Sequence, residues 1–244
     1  MKTVQNNLIT LKNVVIKDKN QTLVRDASFT IPKNQIVGII GKSGSGKTTT
    51  INAIVQPKNV FKGEIEYAFS NPHNHKKWLK TISYITQEPN LIDDEDVYFN
   101  MKRLYRNHGN WLKRFFNFLD KNDKENLKKS LELVGLSDKI YFPVYKLSGG
   151  EKQRLEIAKA LFNNSEIIFA DEPTSNLDLK NSDSIMRVFK QLNVMTKTII
   201  IVIHDINLAL EYCDKLILFK DGKVKKTVKK EQFQRSEIEN FFDQ

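Results

Sequence analysis

Gln35-Ile36-Val37-Gly38-Ile39-Ile40-Gly41-Lys42-Ser43-Gly44-Ser45-Gly46-Lys47-Thr48-Thr49-Thr50 is the stretch that decides the fold. Residues 35–40 are a short apolar run ending in glycine, the pattern of a strand covered on both faces in a parallel sheet. Residues 41–48 then fit the phosphate-loop pattern in full. Its glycines let the backbone bend until several N–H groups converge on phosphate oxygens. Residues 48–55 have helix-compatible spacing, and a helix there points its positive end at the same anion. Lys47 can reach the β- and γ-phosphates, and the Thr48 hydroxyl can bind Mg²⁺. The competing reading is a glycine-rich turn between a strand and a helix. The buried strand before the loop and the helix after it weigh against that.

A second stretch has matching chemistry. Ile167-Ile168-Phe169-Ala170-Asp171-Glu172 is an apolar strand that delivers two carboxylates at its C-terminal end. Ligands of open α/β sheets bind at that end of the strands. Asp171 is placed to hold Mg²⁺, directly or through water, and Glu172 to polarise the water that attacks a γ-phosphate. Taken alone, Asp-Glu before Pro173 could equally be a surface turn. The phosphate loop tips the balance.

Outward from these two stretches the chain shows an ordered alternation. Leu8, Thr10 and Val14, then Ala27, Phe29 and Ile31, lie at strand spacing, and Pro32-Lys33-Asn34 marks a turn. After residue 166, strand and helix signals alternate at 167–170, 182–192, 198–203, 207–212 and 215–219, which argues for a layered α/β sheet. Between them, residues 93–146 are rich in Lys, Asn, Leu and Phe. Met101, Leu104 and Tyr105 fall at helical spacing, as do Leu127, Leu131 and Val134, and Gly135 reads as the helix C-cap.

Further strings complete a pattern. Leu147-Ser148-Gly149-Gly150-Glu151-Lys152-Gln153-Arg154 resembles the signature motif of the ABC ATPases, and Gln87 resembles the Q-loop glutamine. Ser175-Asn176-Leu177-Asp178 resembles the D-loop, and His204 the switch histidine. The motifs stand in the family's order, and the resemblance covers about residues 8–225. Ser148 and Glu151 also have the spacing of a helix capping box, and the two readings are compatible.

The resemblance implies one nucleotide-binding domain over residues 1–244. Its expected fold class is α/β: a P-loop NTPase (RecA-like) core, an N-terminal antiparallel β subdomain and a helical subdomain inserted at about residues 90–163. It implies an ATPase with ATP and Mg²⁺ as cofactors. Two cassettes close head to tail, each ATP lying between residues 41–49 of one protomer, Thr49 included, and Ser148, Gly149 and Gly150 of the other. The implied catalytic set is Lys47, Gln87, Glu172 and His204. Thr48, Gln87 and Asp171 hold the metal, and Asp178 helps join the two sites. Family members stack adenine on an aromatic residue 25 to 30 positions before the loop lysine. Here residues 16–19 offer only aliphatic and charged side chains, which puts that stacking in doubt.

Composition bounds the setting. The chain has 244 residues and a net charge of +10, and its lysines are spread along it, so solvated surface explains the charge better than nucleic-acid binding. No run is long enough to span a bilayer, no leader pattern opens the chain, and one cysteine excludes an internal disulfide. These features are compatible with what the resemblance implies: a peripheral protein on the cytoplasmic face of a membrane, working with transmembrane permease subunits, a second cassette (expected as a homodimer) and, through the permease, a solute-binding protein. No nucleic-acid partner is expected. Tyr141-Phe142-Pro143-Val144-Tyr145-Lys146 lacks the acidic segment of many exporters and is similar to import cassettes. Arg103-Leu104, residues 111–118 and residues 123–136 resemble the phosphonate-type importers. Motors of export or lipoprotein-release complexes, and soluble members acting on ribosomes or DNA, are the alternatives.

Overall fold

The computed structural model describes residues 7–19, 21–68, 78–103, 105 and 119–243. Strands β1 (Asn7–Asp18) and β2 (Gln21–Pro32) form a hairpin, and β3 (Ile36–Gly41) leads into helix α1 (Lys47–Val55). Strand β4 (Val60–Tyr67) returns to pair with β1, and β5 (Ile82–Ile85) joins the far edge of the sheet. Helices α2 (Val97–Arg103), α3 (Lys121–Leu133) and α4 (Gly149–Phe162) come next. The chain closes with β6 (Ile167–Asp171), α5 (Leu179–Val194), β7 (Thr198–Val202), α6 (Ile206–Tyr212), β8 (Lys215–Lys220), β9 (Lys223–Lys229) and α7 (Arg235–Asp243).

The strand order is β4-β1-β2-β9-β8-β3-β7-β6-β5. Strands β8, β3, β7, β6 and β5 pair in parallel, with Val37 opposite Ile200 and Phe169 opposite Ile200 on its other side. Their apolar runs do not alternate because both faces are covered. Ile199, Ile201 and Ile203 enter one core cluster with Ile168 and Leu216. Ile200 and Val202, facing the other way, enter a second cluster with Phe169 and Ile217. Each fully buried phenylalanine of this core, such as Phe169 or Phe219, contributes about 1.5–3 kcal/mol.

The antiparallel part, β1 with β2 and β4, meets the parallel part at a narrow seam. Strand β2 pairs with β9 in parallel at Asp26 opposite Lys223, reinforced by Arg25 N donating to Gly222 O at 2.7 Å. Strand β9 is the main addition to the sequence reading, whose strand and helix signals ended at residue 219. It is held by its antiparallel ladder to β8, with Val228 alone buried among its side chains.

In the helical stretch, α3 ends as expected. Leu136 N donates to Leu131 O at 2.8 Å and Gly135 N to Glu132 O at 3.1 Å, the paired bonds of a Schellman cap. Helix α2 stops at Arg103, short of the expected spacing. Leu104 and residues 111–118 lie outside the described residues. Tyr105 follows the helix, its ring stacked on Phe162 at 4.4 Å and its hydroxyl donating to Asp123 at 2.5 Å. Among the described residues no helix is long and apolar enough to cross a membrane.

Candidate functional site

Helices α3, α4, α5 and α6 are each capped by a side chain: Asp120, Ser148, Asp178 and Asp205. Helix α1 is not. Its N-cap is Gly46, with no side-chain bond and no acidic residue in the first turn. Its leading N–H groups are left for an anion from outside. Gly46 has φ of 101°, which a side chain would strain, and a Cβ on Gly41 would come within 2.5 Å of Phe219 O and 2.6 Å of Ser45 Oγ. That close approach buries the Ser45 hydroxyl without a hydrogen-bond partner. Lys42, Ser43 and Gly44 are exposed along the loop.

Lys47 is 4% exposed, and its Nζ donates to Gly41 O at 2.8 Å and Lys42 O at 3.0 Å. Burial pushes its ammonium below the usual lysine value, while the charges of Glu172 and Asp171 pull the other way. Thr48 Oγ1 donates to Asp171 Oδ1 at 3.1 Å, and Tyr84 donates its hydroxyl to Asp171 Oδ2 at 3.3 Å. Burial raises the Asp171 carboxyl despite the Thr48 hydroxyl, with the neighbouring Glu172 charge adding to the rise. Glu172 Oε1 lies 2.6 Å from His204 Nε2.

Glu172 has φ of 51°, a left-handed conformation uncommon for a residue with a side chain. Its N–H donates to Val202 O at 3.1 Å and its carbonyl accepts from Ser175 Oγ at 3.0 Å. Backbone strain of this kind, about 1–3 kcal/mol, persists where the surroundings dictate it and gathers at functional sites. Here it turns the carboxylate towards His204, beside a cleft of about 270 Å³ that Glu172, Ser175 and Asp205 also line. The loop, the acidic pair and the histidine thus meet at the C-terminal ends of β3, β6 and β7, with Tyr84 added from β5. Tyr84 escaped the sequence reading because a hydroxyl partner 87 positions away leaves no local pattern.

The remaining expected residues sit elsewhere. Ser148 caps α4: Glu151 N donates to its Oγ at 3.3 Å and its own N–H donates to Glu151 Oε2 at 3.0 Å, so the capping box is complete. Burial opposes the Glu151 charge, but Lys139 and the Ser148 donors outweigh it and hold the carboxyl below its usual range. A Cβ on Gly150 would come within 3.0 Å of Asn181 Oδ1, and the Asn181 amide donates to Asp178 Oδ2 at 2.7 Å. Asp178 also caps α5 by accepting from Asn181 N at 2.8 Å. Gln87 is exposed, its carbonyl accepting from Gln153 Nε2 at 2.7 Å. Among the described residues no contact of Ser148, Gly149 or Gly150 reaches the loop. Thr49, half-buried in the first turn of α1, borders a cleft of about 580 Å³ with Ile16, Asp18 and Leu23; among the described residues its β1–β2 side carries no aromatic ring, and Tyr84 lines it from β5.

Loop, acidic strand end and histidine on a mainly parallel sheet define a nucleoside-triphosphatase. The family model described as "ABC transporter" matches residues 24–175, more than half of the chain. A probable ABC transporter ATP-binding protein, p29, of Mycoplasma pneumoniae is 35% identical over 88% of this chain and 90% of its own. The phosphonates import ATP-binding protein PhnC of Fusobacterium nucleatum is 35% identical over 89% of this chain and 90% of its own. The solved dimeric, post-hydrolysis state of the ATP-binding cassette MJ0796, bound to ADP and Pi, superposes with a TM-score of 0.74 at 29% identity, covering 93% of this chain and all of that one. The chain belongs to the ABC transporter family, as an ATP-binding subunit with ATPase activity. Such subunits dimerise and work with membrane permease components.

Proposed function

We propose that this chain drives an importer of phosphonates or a related anion from the cytoplasmic face of the membrane, as a homodimer under two permease subunits fed by a solute-binding protein. The 35% identity to the phosphonate import subunit over 89% of the chain carries the subtype. The exposed aromatic surface of Phe99, Tyr141 and Tyr145 supports a docking role towards the permease. It is built where segments 93–98 and 140–145 exchange backbone bonds, Tyr98 N to Ile140 O at 2.8 Å and Val144 N to Glu95 O at 3.0 Å.

The chemistry follows from the site. The open N–H groups of α1 and the glycines of the loop receive the triphosphate, and Lys47 leaves the carbonyls of Gly41 and Lys42 for the β- and γ-phosphates. The hard oxygens of Thr48 and Asp171, side by side, fit Mg²⁺, which takes one or two protein oxygens and completes its shell with phosphate and water. Gln87 joins them on closure. The ion supplies charge neutralisation on the phosphates. Glu172 accepts the proton of the attacking water, and His204 holds that carboxylate and contacts the γ-phosphate. Ser148, Gly149 and Gly150 complete the site of the partner protomer, and Asp178 sits at the joint between the two. ATP stabilises the closed dimer and hydrolysis releases it.

An affinity-tagged chain recovered from detergent-solubilised native membranes tests the assignment. A polytopic permease with a solute-binding protein is the expected companion. A permease without one would support an export or lipoprotein-release motor, and ribosomal proteins without any membrane partner would refute transport.

A further inference from the structure

Residues 86–93, between β5 and α2, have no regular secondary structure, so their carbonyl groups lack ladder or helix partners. Helix α4 supplies them from below. Gln153 Nε2 donates to Gln87 O at 2.7 Å and sits 3.4 Å from Thr86 O. Lys159 Nζ donates to Asn90 O at 3.0 Å and to Glu156 Oε1 at 2.6 Å. Lys152 pairs with Asp93 at 2.7 Å. Gln153, Glu156 and Lys159 recur every three residues on one face and are 4%, 7% and 5% exposed. Three polar side chains stand where an amphipathic helix ordinarily buries apolar ones.

Stability alone does not account for them. Gln153 Oε1 is buried without a partner, and removing such an acceptor from water carries a cost that a leucine at that position would avoid. What the grip does achieve is mechanical. Helix α4 starts at the Ser148 cap, so Gln153 at Gln87 O and Lys159 at Asn90 O, the latter braced by Glu156, fasten this segment to the helix that presents residues 148–150. We infer that Gln153 and Lys159 are positioning residues that tie Gln87 to Ser148–Gly150, so that occupancy sensed by Gln87 in one site displaces the signature end offered to the other. The inference rests on the proposed head-to-tail pairing of two cassettes.

The test uses the purified full-length chain. Gln153→Leu keeps volume and removes the donor. The double variant Glu156→Gln/Lys159→Met removes both buried charges, so neither is left unpaired. Nucleotide affinity of the monomer, ATP-dependent dimerisation, kcat, KM and thermal midpoint are read for each. The tie predicts kcat lower by about tenfold or more, with KM and monomer affinity within about twofold of wild type and near-normal turnover in Lys159→Arg. Unchanged kcat in both variants overturns it, as does a loss of turnover that merely tracks a lower midpoint and is not rescued by arginine. The pairing itself is judged separately: if the wild-type chain and its Glu172→Gln variant stay monomeric with ATP, head-to-tail closure fails, whereas dimerisation with normal variants removes only the tie.

Discussion

Replacing Glu172 by glutamine separates binding from chemistry. Glutamine has the length and shape of glutamate and keeps an oxygen for His204 Nε2, now 2.6 Å from Glu172 Oε1. It makes the same demand on the left-handed backbone, so the fold is unaffected. What disappears is a proton acceptor. A positioned general base contributes about 10²–10⁴ in rate, which is about 3–5 kcal/mol on the barrier. The groups assigned to the phosphates, Lys47 and the amides of α1, are untouched. The substitution also removes a negative charge close to Lys47, so repulsion of the triphosphate falls. Single-turnover phosphate release should therefore drop at least a hundredfold, while ATP affinity holds or tightens and a dimer accumulates on size-exclusion chromatography. A variant hydrolysing ATP within about tenfold of wild type, with its fold intact, would refute Glu172 as the base.

Two other outcomes are expected. Asp18→Tyr puts a ring at the cleft beside Thr49; aromatic stacking is worth about 0.5–1.5 kcal/mol, so KM for ATP should fall by roughly two- to tenfold, and an unchanged KM would mean that the base lies elsewhere. Lys215 is held in the fold near a pKa of about 8, below the usual 10.5, by burial and then by Lys229. The unfolded chain therefore binds this proton where the fold does not, and stability should rise as pH climbs from about 8 towards 10.5. Thermal melts of the wild type and Lys215→Met across that range check it: a slope equal in both removes Lys215 as the source.

The parts of the fold legible in advance are those whose side chains record their surroundings. Strands β3, β6, β7 and β8 are buried on both faces, and an uninterrupted run such as Ile199 to Ile203 says so directly. Strand β9 carries lysines at 223, 225, 226 and 229 and buries only Val228, so its backbone ladder to β8 left no trace in the residue pattern. The loop, the acidic pair, the Ser148–Glu151 capping box and the Gly135 cap were legible because each is a local arrangement of a few consecutive residues. Tyr84 with Asp171, and Gln153 with Gln87, were not, because each joins polar groups more than 60 positions apart. Periodicity marks a buried apolar side chain, but a buried glutamine looks like any surface one until its partner is placed.

The cap of α4 has a consequence for how substitutions at Ser148 would be tolerated. Its oxygen is committed as acceptor to the Glu151 amide, which leaves the hydroxyl proton to point away from the helix. A donor aimed outward is what a phosphate oxygen requires, so capping and phosphate recognition use opposite ends of one O–H group and do not compete. Aspartate would cap the helix as well as serine does, yet it has no proton to offer and would carry charge of the same sign as the phosphate. Alanine loses both. Threonine, with the same hydroxyl, keeps both, and asparagine caps through its oxygen while its amide still offers a donor, so in the proposed closed dimer the acidic cap is the one that fails at this position.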